Sequence, residues 1–284
     1  MWCKKMRHSI VRTMNVLLVL AMILPMVSCG SLDQSLSKIT TVSSESTQAP
    51  VPGSSSDKSV PVSDNESDLS ELVRSYMDTL ISGDVDAVCK KFGCQRSEIL
   101  FASSKVDEVV FPILYQNATY SVGGVITSDH SDYSVDVTLM FPDIADCFDQ
   151  VLQDTDFMVE ASKDWVLALK AHENVQEEKD EMVYLAFAEA LVRIKDGTYQ
   201  RKTMYTELFR FHANPGEYIC EGYPNFVSLL GKSNYMRRFA FVDIREEYDL
   251  LSLYTPLFVK SGTITSEEAD TILQEKFAEI ANFG

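Results

Sequence analysis

Histidine is scarce in this chain: His8, His130, His172 and His212 are the four among 284 residues. They are scattered, and none stands in an HExxH or other paired metal spacing, so no histidine-built metal site is expected. Glycine is also sparse, at 12 residues, and it forms no GxSxG elbow, phosphate-binding loop or dinucleotide fingerprint. Cations are short as well, with 25 Lys and Arg against 42 Asp and Glu and a net charge of −17. A protein that tracks nucleic acid needs a basic surface, so nucleic acid is excluded as a partner. No apolar run approaches the roughly 20 residues that span a bilayer.

What is present begins at the N-terminus. Lys4, Lys5, Arg7 and Arg12 precede an apolar run from Met14 to Val27, which ends in MVSCG at Cys29. A basic start, a short apolar core and small residues before a cleavage point describe an export signal. With Val27 and Ser28 before Cys29, and Gly30 and Ser31 after it, the segment resembles the lipobox of bacterial lipoproteins, although Met26 stands where that family usually has Leu. The resemblance implies that residues 1–28 are removed. It also implies that Cys29 carries a diacylglyceryl group and that the protein sits on the cell membrane, facing the extracellular side. Two or more acyl chains suffice for stable anchoring.

From Gly30 to about Ser67 the chain is Ser, Thr, Pro, Val and Asp, with no aromatic residue. Such a composition buries too little surface to offset the entropy of ordering, so residues 29–67 are expected to form a disordered tether behind the lipidated cysteine. The four basic residues lie upstream of Cys29 and every acidic residue lies downstream, so removing the leader leaves 21 Lys and Arg against 42 Asp and Glu. That charge gives solubility; attraction to basic or metal partners is the alternative.

The remaining residues suffice for one good core with an appended part. Asp68 and Glu71 form a capping-box pattern ahead of an apolar stripe through Leu69, Leu72, Val73, Tyr76, Met77 and Leu80. Gly83 ends that helix, and Asp84 caps a second one that runs to Gly93. A third helix is expected over about 103–115, despite Pro112. Strands follow at 118–127 and 133–141, where Tyr133, Val135, Val137, Leu139 and Phe141 alternate with more polar residues. Ser128 to Asp132 reads as the turn between them. Helical patterns fill about 142–195. A second strand pair follows, from Thr198 to about His212 and at EYICEG, with Asn214-Pro215-Gly216 as its turn. The final helix opens on a capping box, Thr265 and Glu268, with Ala269, Ile272, Leu273, Lys276, Phe277 and Ile280 on one face.

This is an α+β chain with antiparallel strands. Its order resembles the cone-shaped fold of the nuclear transport factor 2 and ketosteroid isomerase superfamily. The opening ELVRSYMDTLISGDVDAVCKKFG and the exit EYICEGYPNFVSLLG carry the likeness. The resemblance implies a cone-like domain over 68–231, a helical insertion at about 142–195, and a C-terminal helical extension over 232–284. It also implies an interior pocket, lined by Tyr, Phe and Met, that could take a small molecule or a peptide. That fold hosts enzymes and binding modules alike. Isomerases and dehydratases need an Asp or His base facing a Tyr or Asp donor. No residue here matches such a position, and Tyr76 reads as core. No catalytic residue, cofactor or metal is therefore assigned.

Cys89, Cys94, Cys147 and Cys220 remain beyond Cys29. Four cysteines allow three full pairings. Cys89 and Cys94 flank the end of the second helix, so a disulfide between them could close a small loop; free thiols are the alternative. Asp143, Asp146, Asp149, Asp154 and Asp156 lack EF-hand spacing and read as a solvated helix face. The expected function is a membrane-anchored binding module for an unknown small molecule, peptide or protein. An extracytoplasmic isomerase-like enzyme and an envelope assembly protein acting through the C-terminal helices are the alternatives.

Overall fold

Four antiparallel strands in the order β1-β2-β3-β4 form the sheet on which the fold is built. The structure, a computed structural model, describes residues 63–100, 105–127, 131–214, 217–229 and 242–283. The leader, Cys29, the tether up to residue 62, the turn residues 128–130, Pro215, Gly216 and the start of the C-terminal extension lie outside the described residues. Four helices precede the sheet: α1 (Ser63–Ile81), α2 (Val85–Phe92), α3 (Arg96–Ile99) and α4 (Lys105–Gln116). The strands are β1 (Thr119–Thr127), β2 (Asp132–Pro142), β3 (Lys202–Asn214) and β4 (Glu217–Gly222). Between β2 and β3 lie α5 (Ile144–Gln153), α6 (Thr155–Ala161), α7 (Lys163–Ala171) and α8 (Val175–Lys195). After a short 3-10 turn at Asn225–Val227 come α9 (Ile244–Ser261) and α10 (Ser266–Phe283). The fold class is α+β, as the sequence implies.

Local signals set several of these boundaries. Asp84 accepts the Ala87 N–H at 3.0 Å as the N-cap of α2, and Gly93 ends that helix in the left-handed region. Thr265 and Glu268 exchange the two bonds of a capping box at 2.8 and 3.2 Å. Gly83 is required twice over: its φ is +70°, and a Cβ there would lie 2.8 Å from Pro112 Cα of α4.

Two expectations change. Helix α1 begins at Ser63, so Asp68 lies inside it rather than capping it, and residues 63–67 are helix rather than tether. Strand β3 begins at Lys202, four residues later than Thr198. Asp196 Oδ1 accepts the Thr198 N–H at 3.0 Å and holds that stretch in a turn. The two expected strand pairs form one antiparallel sheet. β2 and β3 pair without a register break from Asp132↔His212 to Pro142↔Lys202.

The inner face of the sheet carries Val135, Val137, Leu139, Phe209 and Phe211, all buried against α1, α2 and α4. The insertion packs around α8, whose second half is buried on every side, from Ala186 to Leu191. That is why its apolar stripe is hard to see: a helix covered all round has no single apolar face. The C-terminal helices join this helical part. Tyr254 on α9 donates to Leu152 O of α5, and Lys170 on α7 pairs with Glu268 on α10 at 2.9 Å. Glu247 on α9, 6 % exposed, accepts from Lys179 of α8 at 2.7 Å and from Lys276 of α10 at 2.8 Å.

Candidate functional site

Period-two alternation gives the sheet two unlike faces. On the inner face, rings of Tyr76, Phe92, Phe209 and Phe211 meet one another with centroids 4.8–6.3 Å apart. Tyr76, half-buried, is part of this aromatic packing, and burial raises its hydroxyl pKa above the ordinary value. These rings pack together between the sheet and the first two helices.

The outer face is open. Ile126, Met140, Met204, Leu208 and Ile219 all stand on it, and they are five of the seven large apolar side chains that are exposed among the described residues. Register places Met140 opposite Met204, and Ile219 opposite His212. A polar row separates them: Thr138 and Thr206 oxygens are 3.1 Å apart. Single exposed apolar residues are ordinary on a protein surface; five of them on one face of a sheet make that face the candidate site.

This face continues into a groove. β3 has 13 residues and β4 has six, so β4 pairs only with Arg210–Asn214. After Gly222, opposite Arg210, the chain leaves the sheet. A cavity of about 420 Å³ opens there, with Thr206, Glu207, Leu208 and Arg210 on one wall and Gly222, Tyr223, Pro224 and Asn225 on the other. The sequence reading missed this edge, although the unequal lengths of the two final strands were its visible signal.

The thiols of Cys89 and Cys94 are brought together. The N–H groups of Gly93 and Cys94 both donate to Cys89 O, a Schellman-type cap that sets the first and last of these side chains side by side. Both thiols are free in this structure. Burial raises the Cys89 pKa and, together with the neighbouring Cys89, pushes Cys94 up to about 11. The thiolate is the reactive form, so oxidation at neutral pH is expected to be slow and to speed up as pH rises. Treating the chain with oxidised glutathione at pH 9 should remove two of these four thiols and link Cys89 to Cys94. Peptide mapping after alkylation checks this, and loss of Cys147 or Cys220 instead would contradict it. Cys147 is fully buried, with its thiol 3.5 Å from Ala190 O.

The acidic cluster is more than a solvated face. Asp143 and Asp154 are N-caps of α5 and α6. Asp146 accepts from Tyr199 at 2.7 Å and from Arg201 at 2.5 Å, which fixes the approach to β3. His172 caps α7 in the left-handed region, and His212 bonds Asp132 at 2.7 Å. His130 and Cys29 lie outside the described residues. No group of His, Cys, Asp and Glu that could hold a metal ion occurs among the described residues, and no helix there is long and apolar enough to cross a membrane. On α10 Lys276 is buried with Ala269 and Ile272, whereas Phe277 is 60 % exposed, its ring centroid 6.0 Å from that of Tyr248 on α9.

No protein-family model, curated protein or solved structure matches this chain, so what it does has to be argued from its own surfaces.

Proposed function

We propose that this chain is a lipid-tethered, extracytoplasmic binding module that presents the outer face of its sheet to a partner protein. The observation that carries the reading is the gathering of Ile126, Met140, Met204, Leu208 and Ile219 on that one face. The inner face supports it by contrast, since its Val135, Val137, Leu139, Phe209 and Phe211 are buried. Two of the buried carboxylates, Glu189 and Glu247, are tied to cations in the helical part. The tether and Cys29 are the sequence's contribution: they would hold this face away from the lipid surface.

A photo-reactive amino acid at Met140, compared with one at the exposed Glu173, tests the surface in intact cells. An adduct with a protein at Met140 and none at Glu173 is expected; the reverse would refute the reading. The anchor is tested separately by Cys29→Ala. The variant is expected to lose lipid and move from the detergent to the aqueous phase on partitioning. A processed form that stays in the detergent phase would show that Cys29 is not the anchor.

A second reading, envelope assembly through the C-terminal helices, is favoured by one observation. Phe277 and Leu253 are exposed, and a cavity of about 370 Å³ lies beside Tyr248, Leu273 and Phe277. Adducts from Phe277 rather than Met140 would select it.

A further inference from the structure

We infer that the edge of β3 from Met204 to Leu208 docks an extended polypeptide segment that alternates basic and apolar side chains and adds to the sheet as a further strand. This rests on the binding-module reading and names the chemistry of the partner.

The argument starts with the backbone. The Ala213 N–H donates to Ser131 O, and the Asp143 N–H to Arg201 O, so odd-numbered residues of β3 turn their peptide groups toward β2. The register between the two strands is unbroken. Even-numbered residues therefore point their N–H and C=O groups the other way. At His212 and Asn214 that direction meets β4. At Met204, Thr206 and Leu208 it meets no partner among the described residues. A row of alternating donors and acceptors at strand spacing is matched by another extended backbone, and strand addition to a sheet edge is a common mode of peptide recognition.

The side chains then set the composition. An added strand would alternate between the two faces as β3 does. On the outer side it meets Met204, 67 % exposed, and Leu208, 38 % exposed, which favour apolar residues. On the inner side it meets Glu207, half-buried on the groove wall and without an ion-pair partner among the described residues. A basic residue there would find a carboxylate. Arg210, on the outer side of the same groove, repels basic residues from that face and so fixes which way the alternation runs. The net charge of −17 draws a basic segment in from a distance.

The probe is a capped peptide of alternating Lys and Val, compared with the same peptide Nα-methylated at alternate residues, which keeps the charge and blocks backbone pairing. Binding to the mature chain is followed by fluorescence anisotropy and by amide hydrogen exchange at Met204, Thr206 and Leu208. The unmethylated peptide is expected to bind about tenfold more tightly or better, as pairing adds to charge, and to slow exchange at those three amides. Thr206→Pro removes an edge N–H at a position where an edge strand tolerates proline, and should abolish the difference. Glu207→Lys should shift the preference to a peptide of alternating Glu and Val.

Equal affinity for the two Lys peptides would overturn the inference, because charge alone would then explain binding. Amides already protected in the dilute free chain would overturn it as well, by showing an edge paired within the molecule. Protection that rises with protein concentration would assign the edge to a second copy instead. The peptide comparison on the unmutated chain stands even where Thr206→Pro fails to fold. Cross-links from Met140 that persist while the peptide fails would retain the binding module and remove only the edge.

Discussion

Phe209→Ala is expected to cost about 3–5 kcal/mol of folding stability, whereas Met204→Lys on the same strand should change it by less than about 0.5 kcal/mol. The two residues differ in strand parity. Phe209 is fully buried on the inner face and touches Tyr76, Phe92 and Phe211, with centroids 5.8–6.2 Å apart. Removing its ring deletes those contacts and leaves a cavity that the surrounding helices fill only in part. Met204 points the other way and is 67 % exposed, so a charged head at that position stays in water. Urea unfolding followed by circular dichroism measures both. A large loss for Met204→Lys would mean that the outer face is packed in the folded chain, and the proposed contact surface would fall with it.

Glu247→Leu should cost about 3 kcal/mol or more, because it strands a buried cation. Glu247 is 6 % exposed and serves Lys179 and Lys276 together, at 2.7 and 2.8 Å. Without it, Lys276, 7 % exposed, keeps only Glu279. Adding Lys276→Met to Glu247→Leu should recover the part of the loss that comes from stranding Lys276, while Lys179 still lacks its carboxylate. A double-mutant cycle by urea unfolding gives the coupling, and additive losses would show that the pair does not act as a unit. The same pair predicts behaviour at high pH. Desolvation alone would lower the Lys276 pKa, but hydrogen bonds to Glu247 and Glu279 outweigh it and raise the group above its ordinary 10.5. A lysine with a raised folded pKa contributes its full stabilisation below the unfolded value. That contribution is lost as pH rises through the folded value. Stability should therefore fall above about pH 10.5, and less steeply in the double variant.

Much of this fold is legible in the chain, and the legible parts are local. The Asp84 and Thr265 caps, the left-handed Gly93, the strand EYICEG and the inward parity of Val135, Val137 and Leu139 all depend on residues within a few positions of one another. The meeting of Cys89 and Cys94 belongs here too, because one helix cap fixes both backbones. The candidate site is partly legible: alternation already separates Met140 and Met204 from the core-facing set.

What only the tertiary structure decided is pairing between distant segments. The apolar pattern of α10 includes both Lys276 and Phe277, and nothing in its periodicity says that the lysine goes inside. Glu247 on another helix decides that, since a buried ammonium is tolerable only beside a carboxylate. Likewise, β2 and β3 are strands by their own sequences, yet their pairing across the inserted helices follows from the sheet that both can complete. The stretch of β3 that no described strand covers on this side follows in turn from where β4 stops. Caps and alternation are fixed by interactions along the chain. Which faces are covered and which stay open is fixed by the long-range contacts that remove the most apolar surface and pair the most charge.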